Sequence, residues 1–483
     1  MFIGIDLGTS GVKSILMDAE GAVIASTNQS MTVERPHPLW SEQDPQQWWQ
    51  ATCDSLKALG DIHPLDKVQA IGLSGQMHGV TLLDQDANLL RPAILWNDGR
   101  SAAECQWLEE HVPESREITG NLMMPGFSAP KVKWVQNHEP DVFKKIAKVL
   151  LPKDYLRYKL TGVYASEMSD AAGTLWLDVH QRDWNDELLA ATGLTRSAMP
   201  TLYEGTDITG ELRPDVAEML GLPCVPVVGG GGDNAAGALG VGITQPGEAM
   251  ISLGTSGVYF AVSDGMITNP DAALHSFCHA LPHTWHTMSV ILSAASCLDW
   301  VAKLTNFANV ADMMSSCEAQ HPHTDVIFLP YLSGERTPHN DPNAKGVFFG
   351  MTHETTRYDL VQAVLEGVGF ALADGLEALH STHHIPTDIT LIGGGARSSY
   401  WRQILADIMN QPLTYRQGGD VGPALGAARL AHYAMAPKGT SITSIFPKPP
   451  VVEKSTPDAE HHKYYQEKYQ QFKTLYRQLK TVF

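Results

Sequence analysis

The hexapeptide LGTSGV occurs twice in this chain, within IGIDLGTSGVK at residues 3–13 and within MISLGTSGVYF at residues 250–260. Both copies read as an apolar strand, a glycine turn and a second apolar strand. An opening that restarts halfway along points to an ancient duplication, with one copy of the unit in each half. The next turn is repeated as well, as Asp18–Gly21 and again as Ser263-Asp264-Gly265. Two domains are therefore expected, 1–245 and 246–483. One position breaks the match: Asp6 stands where the second copy has Ser252.

Composition narrows what such a chain can do. The 483 residues are 43% hydrophobic and 18% charged, which suits packed cores and not disorder. The net charge of −19, from 34 basic and 53 acidic side chains, repels polyanions, so no nucleic-acid partner is expected. No apolar run approaches the ~20 residues of a membrane span. The start, MFIGIDLGTS, reads as a strand and not as a signal peptide. A cytoplasmic protein with no membrane partner is the expectation.

Six cysteines (Cys53, Cys105, Cys224, Cys278, Cys297, Cys317) form no C-x-x-C pair and read as buried, reduced thiols. HSFCHALPHTWH offers His275, Cys278, His279, His283 and His286 as metal ligands, but their spacing matches no standard zinc motif. The alternation around Leu281–Thr284 reads as strand, turn, strand instead. In TVERPHPLWSEQDP, Asp44 is expected to cap a helix, with Pro45 at its first position and Gln47 closing a capping box. The tryptophans of QQWWQ are expected in the core. Near the end, Tyr465, Tyr469, Phe472, Tyr476, Leu479 and Phe483 fall on one helical face, which should pack on the body of the protein and not on a membrane.

The chemistry is expected where glycine turns follow strands. A turn of this kind aims several backbone N–H groups at one spot, and Thr9, Ser10, Thr255 and Ser256 would add hydroxyls, a nest suited to phosphate oxygens. Glycine at 8 and 254 leaves the approach to the backbone clear. Two such turns, one per half, could grip a polyphosphate from both sides of a cleft. Asp6 would then do what Ser252 cannot, holding Mg²⁺ directly or through water. In VPVVGGGGDNAAG, the single acid Asp233 lies between a strand and a small-residue helix. It is either an N-cap or a carboxylate placed to take a proton from an attacking hydroxyl, with Asn234 beside it. LIGGGARSSYW lacks a dinucleotide fingerprint and reads either as a plain strand–helix turn or as a flat seat for a nucleoside.

Taken in order, DLGTSG, GGGD, ISLGTSG and LIGGGAR resemble segments of the FGGY family of carbohydrate kinases, as do GFSAPKVKWVQNH at 126–138 and GVFFGMTHETTRYDLVQAVLE at 346–366. Within that family GQMHG, ILWNDGR, NLMMPGFSAPK and FLPYLSGERTPHNDP are most similar to members that phosphorylate D-xylulose. The resemblance spans nearly the whole chain. It implies an α/β protein with two actin-like, ribonuclease-H-type ATPase domains around a central cleft. ATP would lie mainly on the second domain and the sugar mainly on the first.

The implied reaction is Mg²⁺- and ATP-dependent phosphorylation of D-xylulose; ribulose, glycerol or gluconate are alternative acceptors, and a nucleotide-driven switch is a rival class. Position by position, Asp233 matches the catalytic base and Asp6 the acid of the first phosphate segment. Met77 and His78 match the sugar pair, and Asn234, Trp96 and Asn97 are expected near the sugar, with Asp98 and Arg100 in the same loop. Gly8, Thr9, Ser10 and Lys13, then Gly254, Thr255 and Ser256, then Gly394 and Gly395 are the expected nucleotide contacts. His78 could equally pack as a core residue, and Glu335–Arg336 could act at the cleft or form a buried ion pair. A homodimer is also implied.

Overall fold

The structure, a computed structural model, describes residues 1–320, 323–382, 384–417 and 422–483. Its two largest sheets have seven strands each. The first contains β1 (Phe2–Leu7), β2 (Gly11–Met17), β3 (Val23–Ser30), β4 (Ala70–Gly75), β5 (Ile208–Glu211) and β6 (Pro226–Val228), in the order β5-β6-β4-β1-β2-β3. The pair Gly231–Gly232 adds to β4. The second contains β7 (Glu248–Leu253), β8 (Gly257–Ser263), β9 (His275–Cys278), β10 (Trp285–Ile291), β11 (Asp388–Ile392), β12 (Leu413–Arg416) and β13 (Val451–Ser455). Its order is β9-β10-β8-β7-β11-β12-β13.

The duplication expected from LGTSGV extends to the whole sheet. In each half an antiparallel hairpin (β1–β2, β7–β8) is followed by a third antiparallel strand (β3, β10). On the other side the hairpin's first strand takes a parallel neighbour (β4, β11), then a second parallel strand (β6, β12) and an antiparallel edge (β5, β13). Two α/β domains of the expected type result. The central strands β1 and β4 are apolar and buried on both faces, as strands sandwiched between helices must be.

The identical letters nevertheless close into different turns. Leu7 pairs with Val12 in the first hairpin, whereas Leu253 pairs with Gly257 in the second. That difference of one residue has tertiary causes. The first turn is held by Gln43, whose Nε2 donates to the Thr9 carbonyl at 2.7 Å. The second is held by Ala294 and Ala295, whose N–H groups each donate at 2.9 Å to the carbonyls of Thr255 and Gly254.

Helix α1 (Pro45–Ile62) starts as expected, with Asp44 accepting from the Gln46 N–H at 2.9 Å and Pro45 at its first position. The capping box does not form. Gln47 instead reaches the end of β3, accepting from the Thr32 N–H at 3.0 Å and donating to its hydroxyl at 3.2 Å. A two-point partner outside the helix has replaced a one-point partner inside it. Trp48 is fully buried and Trp49 lies at the core's margin.

Two further helices join the halves. Helix α2 (Asp233–Gly240) packs on α4 (Gly422–Met435), and α4, although it belongs to the C-terminal half of the chain, lies on β1 and β4 of the first sheet. The approach is backbone to backbone. A Cβ at Gly4 would stand 1.9 Å from the Ala424 carbonyl oxygen, one at Gly72 1.8 Å from that of Ala427, and one at Gly426 1.8 Å from that of Ala236. A core containing Phe127, Trp176, Met250, Phe260, Phe277 and Met288 likewise draws on both halves.

The C-terminal helix, the histidine-rich hairpin and five of the six cysteines are as expected. Helix α5 (Ala459–Leu479) buries Tyr465, Tyr469, Phe472 and Tyr476 on the second domain, beside α3 (Arg357–His380), with Leu479 and Phe483 partly covered. HSFCHALPHTWH forms the β9–β10 hairpin, with His275, Cys278, His279 and His286 buried. Cys53, Cys105, Cys278, Cys297 and Cys317 are buried free thiols, but Cys224 is exposed in the turn after Leu220. No helix among the described residues is long and apolar enough to cross a membrane.

Replacing Gly72 by Ala is expected to cost about 1–3 kcal/mol or more, because the methyl group meets a main-chain carbonyl that cannot rotate away. The measurement is the thermal unfolding midpoint. An unchanged midpoint would mean that α4 does not lie on β4.

Candidate active site

A cavity of about 260 Å³ opens where the two halves meet. From the first half it is lined by Met77 and His78 of the loop after β4, by Trp96, and by Asp233 and Asn234 at the start of α2. From the second it is lined by Ser252, Gly254 and Ser256 of the second turn, with His275, Met288 and Arg336 behind them. Seven sequence-predicted residues thus share one wall system: Met77, His78, Trp96, Asp233, Asn234, Gly254 and Ser256. Its volume is small beside the ~300–1,000 Å³ of drug-sized sites.

Among the described residues, Asp233 is the cavity's only lining acid. It is not the N-cap of its helix; Gly232 holds that position, and Asp233 is the first helical residue. Its Oδ1 accepts from the Asn234 N–H at 2.7 Å and from Asn234 Nδ2 at 2.9 Å. Burial, reinforced by the negative charge of Asp6, pushes its carboxyl up to about 7, against the opposing pull of those bonds. Asp6 is itself raised to about 6 by burial, with Ser74 and Lys13 only partly opposing. Lys13 faces Asp6 directly across the β1–β2 hairpin. One oxygen of Asp6 is buried without a hydrogen-bond partner. Two neighbouring acids raised into the neutral range form a constellation suited to cation or proton chemistry.

The sugar-side loop is held from several directions. His78 takes a left-handed backbone conformation, φ 67°. Its Nδ1 donates to the Gly173 carbonyl at 2.7 Å, which leaves Nε2 as an acceptor. Burial lowers this imidazole to about 3, so it is neutral. The His78 carbonyl accepts from Lys131 Nζ at 2.9 Å and from Ser128 Oγ at 3.1 Å. GFSAPK therefore buttresses the loop that carries His78. Behind the GGGGD loop, the Gly232 N–H donates to Ser169 Oγ at 3.0 Å. Ser169 belongs to a buried network with Glu167, in which Lys153 lies within 3.1–3.5 Å of Asp154, Glu167 and Asp170. No motif marked that network in the sequence.

Thr9 differs from expectation. Its hydroxyl donates to Gln76 at 3.1 Å and accepts from Trp96 Nε1 at 2.9 Å, so it ties the first glycine turn to the loop after β4 and to Trp96 and is not a free donor. Gly254 leaves open space, since a Cβ there would meet nothing nearer than the Ser256 carbonyl oxygen at 3.6 Å. Gly394 is equally open, whereas Gly395 is explained by packing, with Trp401 2.6 Å from its notional Cβ. Gly8, Ser10, Lys13 and Thr255 lie on the two hairpins beside the cavity without lining it, and Asn97 neighbours its wall residue Trp96.

Asp98 and Arg100 have structural roles. Arg100 grips Asp98 with Nε at 2.9 Å and NH2 at 2.7 Å, reaches Glu42 at 2.7 Å, and stacks 3.6 Å above Trp40. Asp98 also accepts from the Ser41 N–H at 2.6 Å. Glu335 and Arg336 separate: the Glu335 carboxylate accepts from the backbone N–H groups of Leu292 at 3.0 Å and Arg336 at 2.7 Å, while the Arg336 side chain lines the cavity.

Comparison with known proteins agrees with this layout. Residues 1–240 match the model of the FGGY family of carbohydrate kinases, N-terminal domain, and residues 249–435 match that of the C-terminal domain. The chain is 61% identical over 480 residues to the xylulose kinase of Escherichia coli strain K12, covering 99% of each. A crystal structure described as a xyloylose kinase from Brucella ovis is 47% identical, with TM-score 0.94 and 100% of both chains covered. The gluconate kinase structure from Lactobacillus acidophilus is 25% identical, with TM-score 0.93 over 99% of this chain and 97% of that one.

Changing Asp98 to Asn should weaken a buried ion-pair cluster, at a cost below the ~3–5 kcal/mol of leaving a buried charge unpaired, because Arg100 keeps Glu42. The expected readout is a lower melting temperature. A stable variant with only a raised sugar KM would reassign Asp98 to the acceptor site.

Proposed function

The chain belongs to the FGGY family of carbohydrate kinases, and from that premise we infer that it transfers the γ-phosphoryl group of ATP to D-xylulose, giving D-xylulose 5-phosphate. The observation that carries the acceptor is the 61% identity, end to end, to a xylulose kinase. Fold alone does not choose among sugars, since the gluconate kinase superposes almost as well.

In the mechanism we infer, Asp233 orients the terminal hydroxyl of the open-chain ketose and accepts its proton as the oxygen attacks phosphorus in line. Its raised carboxyl is a base suited to work near neutral pH. Met77, His78, Asn234 and Trp96 would seat the sugar, with the neutral His78 Nε2 accepting from a hydroxyl. The turns at Gly8–Ser10 and Gly254–Ser256 would face the phosphates, and Gly394–Gly395 the adenosine. These assignments are supported by the open space at Gly254 and Gly394 and by the seven predicted residues that line one cavity. With so negative a chain, such local donors must bind the nucleotide against the overall field.

Asp6 fits a divalent cation arriving with the phosphates. It has one buried, unpartnered oxygen, and among the described residues no group of three or more His, Cys, Asp or Glu could hold a metal unaided. Mg²⁺ bound there would neutralise phosphate charge. Closing the halves on the sugar would keep water from competing as nucleophile.

The deciding experiment is ADP release measured across a panel of ketoses, polyols and sugar acids, with D-xylulose expected to give the highest kcat/KM. A clear preference for another acceptor would overturn the substrate. Asp233→Ala is expected to fold and bind ADP while losing ~10²–10⁴ in kcat. For the parent enzyme, protonation of Asp233 below about pH 7 removes the base. The kcat/KM for D-xylulose should therefore fall about tenfold per pH unit on the acid side and level off above. A flat profile through neutrality would remove Asp233 from that role.

A further inference from the structure

The second half brings two polar side chains to the cavity that the reading above leaves without a task. His275, at the start of β9, is 2% exposed and lines the cavity, yet its Nε2 has no hydrogen-bond partner. Buried polar atoms are seldom left unpaired, and one at a ligand cavity is suited to a ligand hydroxyl. Burial, with Arg336 close by, holds the imidazole well below its usual range, so it is neutral. Its ring meets Phe127 edge-on at 5.5 Å, and Phe127 meets His78 edge-on at 4.3 Å. Two neutral histidines, one from each half, thus flank a single phenylalanine.

Among the described residues that line this cavity, Arg336 is the only Lys or Arg. Its segment is anchored to β10, the Thr337 N–H donating to the Val290 carbonyl and the Val290 N–H to the Thr337 hydroxyl, both at 3.0 Å. Glu335 Oε1 accepts from two backbone N–H groups and its Oε2 has no hydrogen-bond partner; no ion pair joins the carboxylate to the neighbouring guanidinium, although its charge still favours that cation. Burial also pushes Glu335 up to about 8, which weakens it as a counter-charge. The cavity therefore holds a cation as well as Asp233, although the acceptor sugar is neutral. The anion it suits is the phosphoryl group, which must pass between Gly254–Ser256 and Asp233 in the same space. A planar guanidinium can donate to two equatorial phosphoryl oxygens at once.

We propose that His275 and Arg336 are substrate contacts delivered by the second half, His275 to a hydroxyl of the acceptor sugar and Arg336 to the phosphoryl group in flight. This rests on the sugar-kinase reading of the site. In the step, the bond from the γ-phosphorus to the bridging oxygen of ATP breaks and its electron pair leaves with ADP. The bond from the sugar oxygen to phosphorus forms, and the hydroxyl proton goes to Asp233. Arg336 makes and breaks no bond; it stabilises the charge spread over the equatorial oxygens. Because both groups come from the half opposite His78 and Asp233, the contacts are complete only when the halves face each other across bound sugar.

The test uses the full chain and the variants His275→Ala, His275→Gln, Arg336→Met and Arg336→Lys. His275→Ala should raise the KM for D-xylulose about tenfold, as expected for one lost hydrogen bond, with the KM for ATP unchanged. His275→Gln should recover part of that loss. Arg336→Met should lower kcat ~10²–10³-fold while D-xylulose and ADP still bind, with Arg336→Lys restoring a minor share. A second readout is the tightening of ADP and Mg²⁺ by aluminium fluoride in the presence of D-xylulose, expected in the parent protein and absent in Arg336→Met. Should Ala or Met lower the melting temperature, the Gln and Lys variants and the fluoride trap decide. Wild-type kcat and normal trapping in the Arg336 variants, or an unchanged sugar KM in the His275 variants, overturns the proposal. A parent protein that fails to phosphorylate D-xylulose would instead overturn the proposed function.

Discussion

Three main-chain carbonyls stand where side chains would otherwise be. The oxygens of Ala424, Ala427 and Ala236 occupy the space that Cβ atoms at residues 4, 72 and 426 would need. This contact stacks α2 and α4 on the first sheet with no side chain between them, and the site depends on it. Gly4 lies two residues before Asp6 on β1, and Ala236 lies three after Asp233 on α2. Backbone contact therefore fixes the distance between the two acids more rigidly than side-chain packing could, since carbonyls in a helix and strands in a sheet have no rotamers to adjust.

Holding Asp6 and Asp233 together in a partly buried place is unfavourable. Both carboxyls are raised, by burial first and, for Asp233, by the charge of its neighbour. The strain is put to use: an acid poised near 7 accepts a proton readily, and an acid with an unpartnered oxygen awaits a cation. Positive charge comes from opposite sides, Lys13 across the first hairpin and Arg336 from the second half. With a global charge of −19, an anionic nucleotide would have to be held by local cations and backbone donors of this kind.

Much of this was legible beforehand. The strand–turn–strand units, the Asp44 cap, the amphipathic helix at 459–479 and the strand–glycine–helix steps at 226–240 and 388–409 depend on local patterning. Asp6, Asp233, Met77 and His78 were legible through motifs that sit at strand ends. Less legible were residues whose role depends on a distant partner. Asp98 and Arg100 could be placed only in the same loop as Trp96, with no role of their own; their partners are each other, Glu42 and Trp40. Thr9 looked like a phosphate donor until Gln76 and Trp96 claimed its hydroxyl. His275 stood out only as one of several histidines in HSFCHALPHTWH, and Arg336 only as half of a pair with Glu335 that could act at the cleft or be a buried ion pair.

By itself, the amino-acid sequence determined that the chain is built twice, where each glycine turn falls, and which of those motifs carry an acid. Such features are written within a few residues, by alternation, by turn chemistry and by the absence of a Cβ. Tertiary structure alone decided that identical LGTSGV turns close in different registers, that α4 crosses to the first sheet, and that a histidine and an arginine from the second half line one cavity with Asp233. These depend on which main-chain and side-chain groups meet across up to hundreds of residues. No local pattern encodes that choice, because it is made by the packing of surfaces that do not exist until both halves have folded.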